Sequence, residues 1–339
     1  MTSPHISVVG SYVQDLAFEA HTLPSVGETR IAHRFRTGPG GKGFNQAVAC
    51  HRQGIQTLFL GAVGQDIFQK HVRDFAKKEH MHIELEEHPD SYTGAASIGV
   101  DRDGKNQIVV ALGANEKLTP AHIEKFRQKI QKSDVLVCQL ESNLEATDAA
   151  LNIAKKSGVI TVLNPAPINE DFDQKMLCKV DILTPNESEF RWLMAKLFHT
   201  KLPQEYWKST KEYLHKLCTA LCVPTTVLTL GEEGCFVSHQ CQIEGKKHSI
   251  DEKERYYAVS THSVQAVDTT GAGDAFNGGL AAGLITCRNN FRKAIELATA
   301  VAALSVTKPG TAPSMPHKND VKNFLLQQSP AILKQILTA

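Results

Sequence analysis

The chain has 339 residues, with 37 Lys and Arg against 36 Asp and Glu, for a formal net charge of +1. That balance offers no broad field to nucleic acid or anionic lipid, and no run approaches the ~20 apolar residues of a membrane helix. The length suits one large α/β domain spanning residues 1–339 with a small appendage, and an N-terminus entering strand Ile6–Val9 without a leader points to the cytoplasm.

After this first strand, Tyr12–Phe18 reads as a second, and Arg30–Phe35, within the strand-like stretch Thr29–Arg36, as a third. Gly38-Pro39-Gly40-Gly41-Lys42-Gly43-Phe44-Asn45-Gln46-Ala47 then reads as a glycine-rich turn opening a helix to about Arg52. It is neither a Walker A loop, which needs Lys-Ser/Thr after its last glycine, nor a dinucleotide fingerprint. Taken alone, it is also compatible with an ordinary strand-to-helix turn. Gly94–Val100 and Gln107–Ala111, separated by Asp101-Arg102-Asp103-Gly104, read as a hairpin.

From Val135 the pattern becomes regular: strand Val135–Gln139, helix Glu145–Ser157, strands Ile160–Leu163 and Ile182–Thr184, a helix, then strand Thr226–Thr229. Short β-branched runs between amphipathic helices imply an α/β fold with a mostly parallel central sheet flanked by helices. Ligands in such sheets bind beyond the carboxyl ends of the strands, and Glu141, Asn164, Asn186, Gly231 and Asp274 all fall just past those ends. The charged segment from Glu205 to Leu221 reads as an outer-face helix, 239–255 as a polar surface hairpin or loop, and the tail after Pro330 as a short helix. The eight cysteines are scattered, and the nearest pairs, Cys218 with Cys222 and Cys235 with Cys241, lack zinc-site spacing, so reduced and metal-free thiols are expected.

The most informative run is Asp268-Thr269-Thr270-Gly271-Ala272-Gly273-Asp274. Two glycines around an alanine leave a nearly bare turn whose N–H groups can converge on an anion at a helix start. A carboxylate in that place opposes a bound phosphate, unless its task is to take a proton from a hydroxyl attacking the phosphate. Read alone, Asp274 also fits a first-turn acid that satisfies free amides and the helix dipole.

The segments Gly40–Ala47 and Ala266–Gly279 together resemble the two signatures of the ribokinase-like sugar kinase family. Gly10-Ser11 with Asp15, Gly113-Ala114-Asn115, Gln139-Leu140-Glu141, Asn164-Pro165-Ala166-Pro167, Thr184-Pro185-Asn186-Glu187-Ser188-Glu189, Thr229-Leu230-Gly231 with Gly234, and Gly310-Thr311 follow in the family order across about residues 6–316. The resemblance implies a ribokinase-like fold whose early strands, within 11–38 and 93–113, form a small β-sheet lid over the sugar and pair two subunits as a homodimer. The implied substrate contacts are Asp15, Gly41, Lys42, Asn45, Glu141 and Asp274. Asp274 would be the catalytic base, with the Gly271, Ala272 and Gly273 amides as anion hole. Asn186, Thr229, Gly231 and Gly234 would bind the nucleotide, and Glu189 would organise Mg²⁺ through water. Asp268, Thr270, Ser305, Lys308, Gly310 and Ser314 would form a K⁺ loop.

Apart from the resemblance, Asp15 reads equally as a strand-end turn acid, Glu141, Glu187 and Glu189 as helix-start acids, and Thr229 to Gly234 as a plain hairpin turn. The implied activity is transfer of a phosphoryl group from ATP to the 5-hydroxyl of D-ribose. The alternatives are 2-deoxyribose, another furanose or a nucleoside as acceptor, or a non-catalytic sugar sensor. Val13 stands where the family often has Asn, which removes a polar contact, and Phe44 replaces a small residue, which predicts a reshaped pocket wall.

Overall fold

The computed structural model describes residues 5–240, 255–287 and 290–328. β1 (Ile6–Val9) leads to β2 (Val13–Glu19) and β3 (Arg34–Gly40), and α1 (Lys42–Arg52) starts two residues after β3 ends. β4 (Thr57–Gly64), α2 (Ile67–Glu79) and β5 (His82–His88) follow, then β6 (Gly94–Val100) and β7 (Asn106–Ala111). Next come α3 (Pro120–Lys125), α4 (Arg127–Gln131), β8 (Val135–Cys138), α5 (Leu144–Lys156), β9 (Ile160–Leu163), β10 (Ile182–Leu183), α6 (Glu187–Phe198), α7 (Lys211–Thr219) and β11 (Thr225–Thr229). β12 (Cys235–His239), β13 (Tyr256–Val259), α8 (Ala272–Thr286), α9 (Phe291–Ser305) and α10 (Lys318–Gln328) complete the described elements.

The large sheet runs β13-β12-β11-β10-β9-β8-β1-β4-β5, parallel from β11 to β5 with β12 and β13 antiparallel at one edge. Period-2 alternation divides its buried side chains between two cores. Val8, Phe59, Val135 and Val137 face α1, α2, α8 and α9, while Val9, Leu58, Leu60 and Leu136 face α5, α6 and α7. From β1 the chain moves first to β4 on one side and later to β8 on the other. Their carboxyl ends therefore open a crevice at the place where connections reverse direction, the usual ligand position in such sheets. Among the described residues no helix is long and apolar enough to cross a membrane.

The small sheet runs β3-β2-β6-β7, with the β6–β7 hairpin turning at Gly104, where Asp101 accepts from the N–H groups of Asp103 and Lys105, both at 2.9 Å. The third strand is displaced from its expected position: it covers Arg34–Gly40 rather than Arg30–Phe35. Antiparallel pairing with β2 continues from Glu19↔Arg34 to Val13↔Gly40, so the first half of the glycine-rich run is strand and not turn. Pro39 is tolerated there because β3 is an edge strand. The lid strands accordingly extend past the expected limit at residue 38. The segment Glu205–Leu221 is likewise not one helix. Tyr206–Lys208 forms a short 3₁₀ turn, and Thr210, accepting from the Tyr213 N–H, starts α7 separately. Tyr206 is buried against Phe190 with ring centroids 5.5 Å apart, so this part of the segment is not an outer face. Most of the 239–255 insertion and the tail after Pro330 lie outside the described residues.

Candidate active site

Asp274 lies in the first turn of α8, whose cap is Gly271 at φ 80°, a left-handed conformation that glycine adopts without a Cβ penalty. Its buried carboxylate accepts from two side-chain amides of α1: Asn45 Nδ2 donates to Oδ2 and Gln46 Nε2 to Oδ1, both at 2.9 Å. These contacts require α1 and α8 to lie unusually close. Gly278 permits this, because a Cβ there would stand 2.4 Å from that of Ala49 and 2.8 Å from the Gln46 carbonyl. Gln46 is itself oriented by Gln139 Nε2, which donates to its Oε1 at 2.7 Å, and it donates to Asn164 Oδ1 at 3.2 Å. Asn45 Oδ1 is buried without a hydrogen-bond partner among the described residues.

At the crevice between β1 and β8, Glu141 Oε2 accepts from Ser11 Oγ at 2.6 Å and from the Lys42 N–H at 2.8 Å. Burial opposes the charge of the Lys42 ammonium, but Asp274, Glu141 and Glu189 outweigh it and hold its pKa above the ordinary value. Asp15, opposite Gly38 in the register of β2 with β3, lines a cavity of about 350 Å³ with Ala17, Ile98, Asp268, Thr270 and Thr311. Burial pushes the Asp15 carboxyl up to about 7; a hydrogen bond from Thr311 opposes the shift, and the nearby carboxylates of Glu141, Asp274 and Asp268 add to it. Lys42, Asn45, Glu141 and Asp274 do not line that cavity, which is the part of the cleft between lid and loop.

Asn186 and Glu189 form a capping box at the start of α6. Asn186 Oδ1 accepts from the Ser188 and Glu189 N–H groups, and Glu189 accepts from Asn186 N at 2.9 Å and Nδ2 at 2.9 Å. Burial raises the Glu189 carboxyl to about 7 against the opposing hydrogen bond from the Asn186 backbone and the charge of Lys42. Asn186 also bridges in parallel to Thr229, which places the β11 turn with Gly231 and Gly234 beside it. On the other side of α8, Asp268 Oδ1 accepts the Thr270 N–H at 3.0 Å and Oδ2 the Gly310 N–H at 2.9 Å. The hydroxyls of Ser305 and Ser314 donate locally, to the carbonyls of Ala302 and Thr311. Of the expected anion-hole amides, Ala272 N–H donates to Thr269 O at 3.2 Å, whereas no acceptor within the described residues engages the N–H of Gly271 or Gly273.

Phe44 does not shape the pocket wall. It is fully buried, with ring centroids 5.3 Å from Tyr12, 5.3 Å from Phe59 and 5.7 Å from Phe75. Gln46, Gln139 and Thr311 carry site contacts that motif reading left without roles. Gln46 gave one signal, as an amide within the apolar run of α1.

A parallel-sheet crevice with a lid, an acid-bearing helix start and a second capped helix defines the class of a carbohydrate kinase. The model of the pfkB family of carbohydrate kinases matches residues 3–318, and the chain belongs to this family. Within it, the chain is 35% identical over 318 residues to a ribokinase of Mus musculus, covering 93% of each, and 32% identical to a deoxyribokinase of Salmonella typhi, covering 94% of this chain and 98% of the relative. Two solved structures are similar: a ribokinase from Giardia lamblia, with TM-score 0.82, 26% identity and coverage of 96% and 99%, and an Arabidopsis thaliana ribokinase complexed with ribose and ATP, with TM-score 0.79, 27% identity and the same coverage.

Proposed function

We propose that the chain transfers the γ-phosphoryl group of ATP to the 5-hydroxyl of D-ribose, giving ribose 5-phosphate and ADP. The observation that carries this is the Asp274 carboxylate, held by two amides next to a bare glycine turn and facing the hydroxyl-reading set of Asn45, Lys42 and Glu141. The 5-oxygen attacks the γ-phosphorus, the bond to the β-bridging oxygen breaks, and the hydroxyl proton passes to Asp274. The N–H groups of Gly271 and Gly273 face charge on the transferring group, where donors fixed in advance are most effective. Asp15 and Glu141 accept from vicinal sugar hydroxyls, and Asn45 Oδ1 takes one that would otherwise leave it unpaired.

Both oxygens of Glu189 are occupied by Asn186, so Glu189 fits a water-mediated role toward Mg²⁺, which keeps several waters when bound to a nucleotide. When bound, that ion supplies neutralisation of phosphate charge. With the Asp268 carboxylate and the Ser305 and Ser314 hydroxyls committed to backbone partners, the 268–270 and 305–314 segments offer mainly carbonyls, a donor set suited to K⁺. A cytoplasmic location belongs to the same reading, and the free state of the described cysteines is consistent with it.

The relatives named for ribose and for deoxyribose leave the acceptor to be tested directly. Val13 packs with Ala96 and Ile98 in the lid and makes no demand on a ribose hydroxyl. ATP turnover over ribose, 2-deoxyribose, other pentoses, fructose and adenosine should show ribose with the highest kcat/KM. A higher value for 2-deoxyribose or adenosine would replace the substrate and leave the mechanism intact.

A homodimer through the lid is part of this proposal. Phe18, Phe35 and Val109 share the face of the small sheet turned away from Asp15 and are 42%, 54% and 73% exposed, more apolar surface than a lone sheet face usually leaves to water. Sedimentation should show a dimer for the natural chain and a monomer for Val109→Asp. A monomeric natural chain would remove the dimer.

A further inference from the structure

Thr311 Oγ1 donates to Asp15 Oδ2 at 2.6 Å, between residues 296 positions apart, and lies 3.2 Å from the Pro39 carbonyl. Both acceptors belong to the lid, on β2 and β3. A threonine that only shaped its own turn would return its hydroxyl to a nearby backbone group, as Ser314 does to the Thr311 carbonyl. Thr311 is buried, and the Asp15 carboxylate lies tight against the Gly40 backbone: a Cβ at Gly40 would stand 2.3 Å from its Oδ2. The residue before Thr311 is equally committed, since the Gly310 N–H donates to Asp268 Oδ2 while Asp268 Oδ1 holds the Thr270 N–H at the entrance to the glycine turn. An unbroken path of bonds thus runs from the lid carboxylate through Thr311 and Gly310 to Asp268 and the phosphoryl-transfer turn.

We propose that Thr311 is a latch, a positioning residue that couples the seating of Asp15 on the sugar to the ordering of the 308–314 loop. The inference rests on the sugar-kinase reading of this site. An ionised carboxylate offers about four acceptor sites, so Asp15 keeps room for vicinal hydroxyls while Thr311 holds it. Whatever orders the loop, a monovalent cation on its carbonyls included, presents the Thr311 hydroxyl to Asp15 and preorganises the sugar site. By linkage, bound sugar tightens the loop by the same factor.

Thr311→Val keeps the β-branch and drops the donor, and Thr311→Ser keeps the donor. The measurement is calorimetric binding of ribose without nucleotide, in KCl and in tetramethylammonium chloride of equal ionic strength. The natural chain should bind ribose several-fold more tightly in KCl. T311V should bind about tenfold more weakly in KCl, the size of one hydrogen bond to a charged group, and should lose most of the cation response. T311S should restore both. Unchanged affinity and cation response in T311V overturns the latch, and so does weaker binding with the full cation response retained. If T311V does not fold, the natural chain still decides, because equal affinity in the two salts overturns the coupling and T311S must match the natural chain. A natural chain that neither binds nor phosphorylates ribose or any other sugar of the panel refutes the sugar-kinase reading itself, a separate result, and the latch falls with it.

Discussion

Replacing Asp274 by Asn is expected to lower kcat by about 10³-fold, the usual size for a removed general base, while folding stays near normal. The surroundings explain why such a severe loss of activity leaves the fold intact. The carboxylate accepts one amide on each oxygen, and an Asn there presents an oxygen on one side and an NH₂ on the other. Gln46 cannot turn over freely, because its Oε1 is held by Gln139, so the new amide oxygen must face Gln46. The NH₂ then meets Asn45, whose Oδ1 has no partner and can rotate in to accept it. Donors and acceptors within the fold stay matched, and the losses fall on the proton acceptor and on the Asn45 acceptor offered to the sugar. Single-turnover kinetics with saturating ribose and ATP, alongside a thermal melt, separates the two effects. Full activity in Asp274→Asn would remove the proposed base, whereas a collapsed melt would locate the defect in packing.

Arg52→Met should cost about 3–5 kcal/mol of stability, because it strips one partner from a largely enclosed ion pair. Arg52 and Glu79 are 7% and 12% exposed and meet twice, Nε to Oε2 at 3.0 Å and Nη2 to Oε1 at 2.7 Å. Nη1 also donates to the carbonyls of Pro313 at 3.0 Å and Met315 at 2.6 Å, which lie just beyond the Thr311 turn. Met fills similar volume but leaves a buried carboxylate and those carbonyls without donors. Hydrogen bonding to Arg52 holds the Glu79 carboxyl below its usual range. For a depressed carboxyl the stabilisation is present above the unfolded value and is lost as pH falls through the folded one. The deficit of R52M should therefore be full at neutral pH and should shrink below about pH 4.5. Urea unfolding of both proteins at pH 7 and pH 4 checks this. A deficit under ~1 kcal/mol at neutral pH would mean that the loop is held by other contacts.

Some elements were legible before any tertiary information. Strands Ile6–Val9 and Ile160–Leu163 occur with their expected limits, because a short β-branched run bounded by breakers is a local property. The Asp101–Gly104 turn and the acid at the start of α8 were readable for the same reason. The third strand was not: its limits follow from how far β2 offers pairing partners, and Ile31, β-branched but 93% exposed, has none. Phe44 adjoins a site residue in sequence, but the helical turn points it into the core, so proximity along the chain misled about the pocket wall.

Residue types and spacing sufficed for the glycine turn and the carboxylate beyond it, which depend on neighbours within about ten positions, and for the sheet class and the family resemblance, which rest on the order of such local motifs along the chain. Which donors hold which carboxylate was settled by closure of the fold. Asn45 meets Asp274 across 229 positions, Ser11 meets Glu141 across 130, and Thr311 meets Asp15 across 296. Hydrogen bonds of this kind act over about 3 Å, so they depend on which strands become neighbours at the crevice and how closely two helices approach. Neither quantity is encoded in any single stretch of the chain.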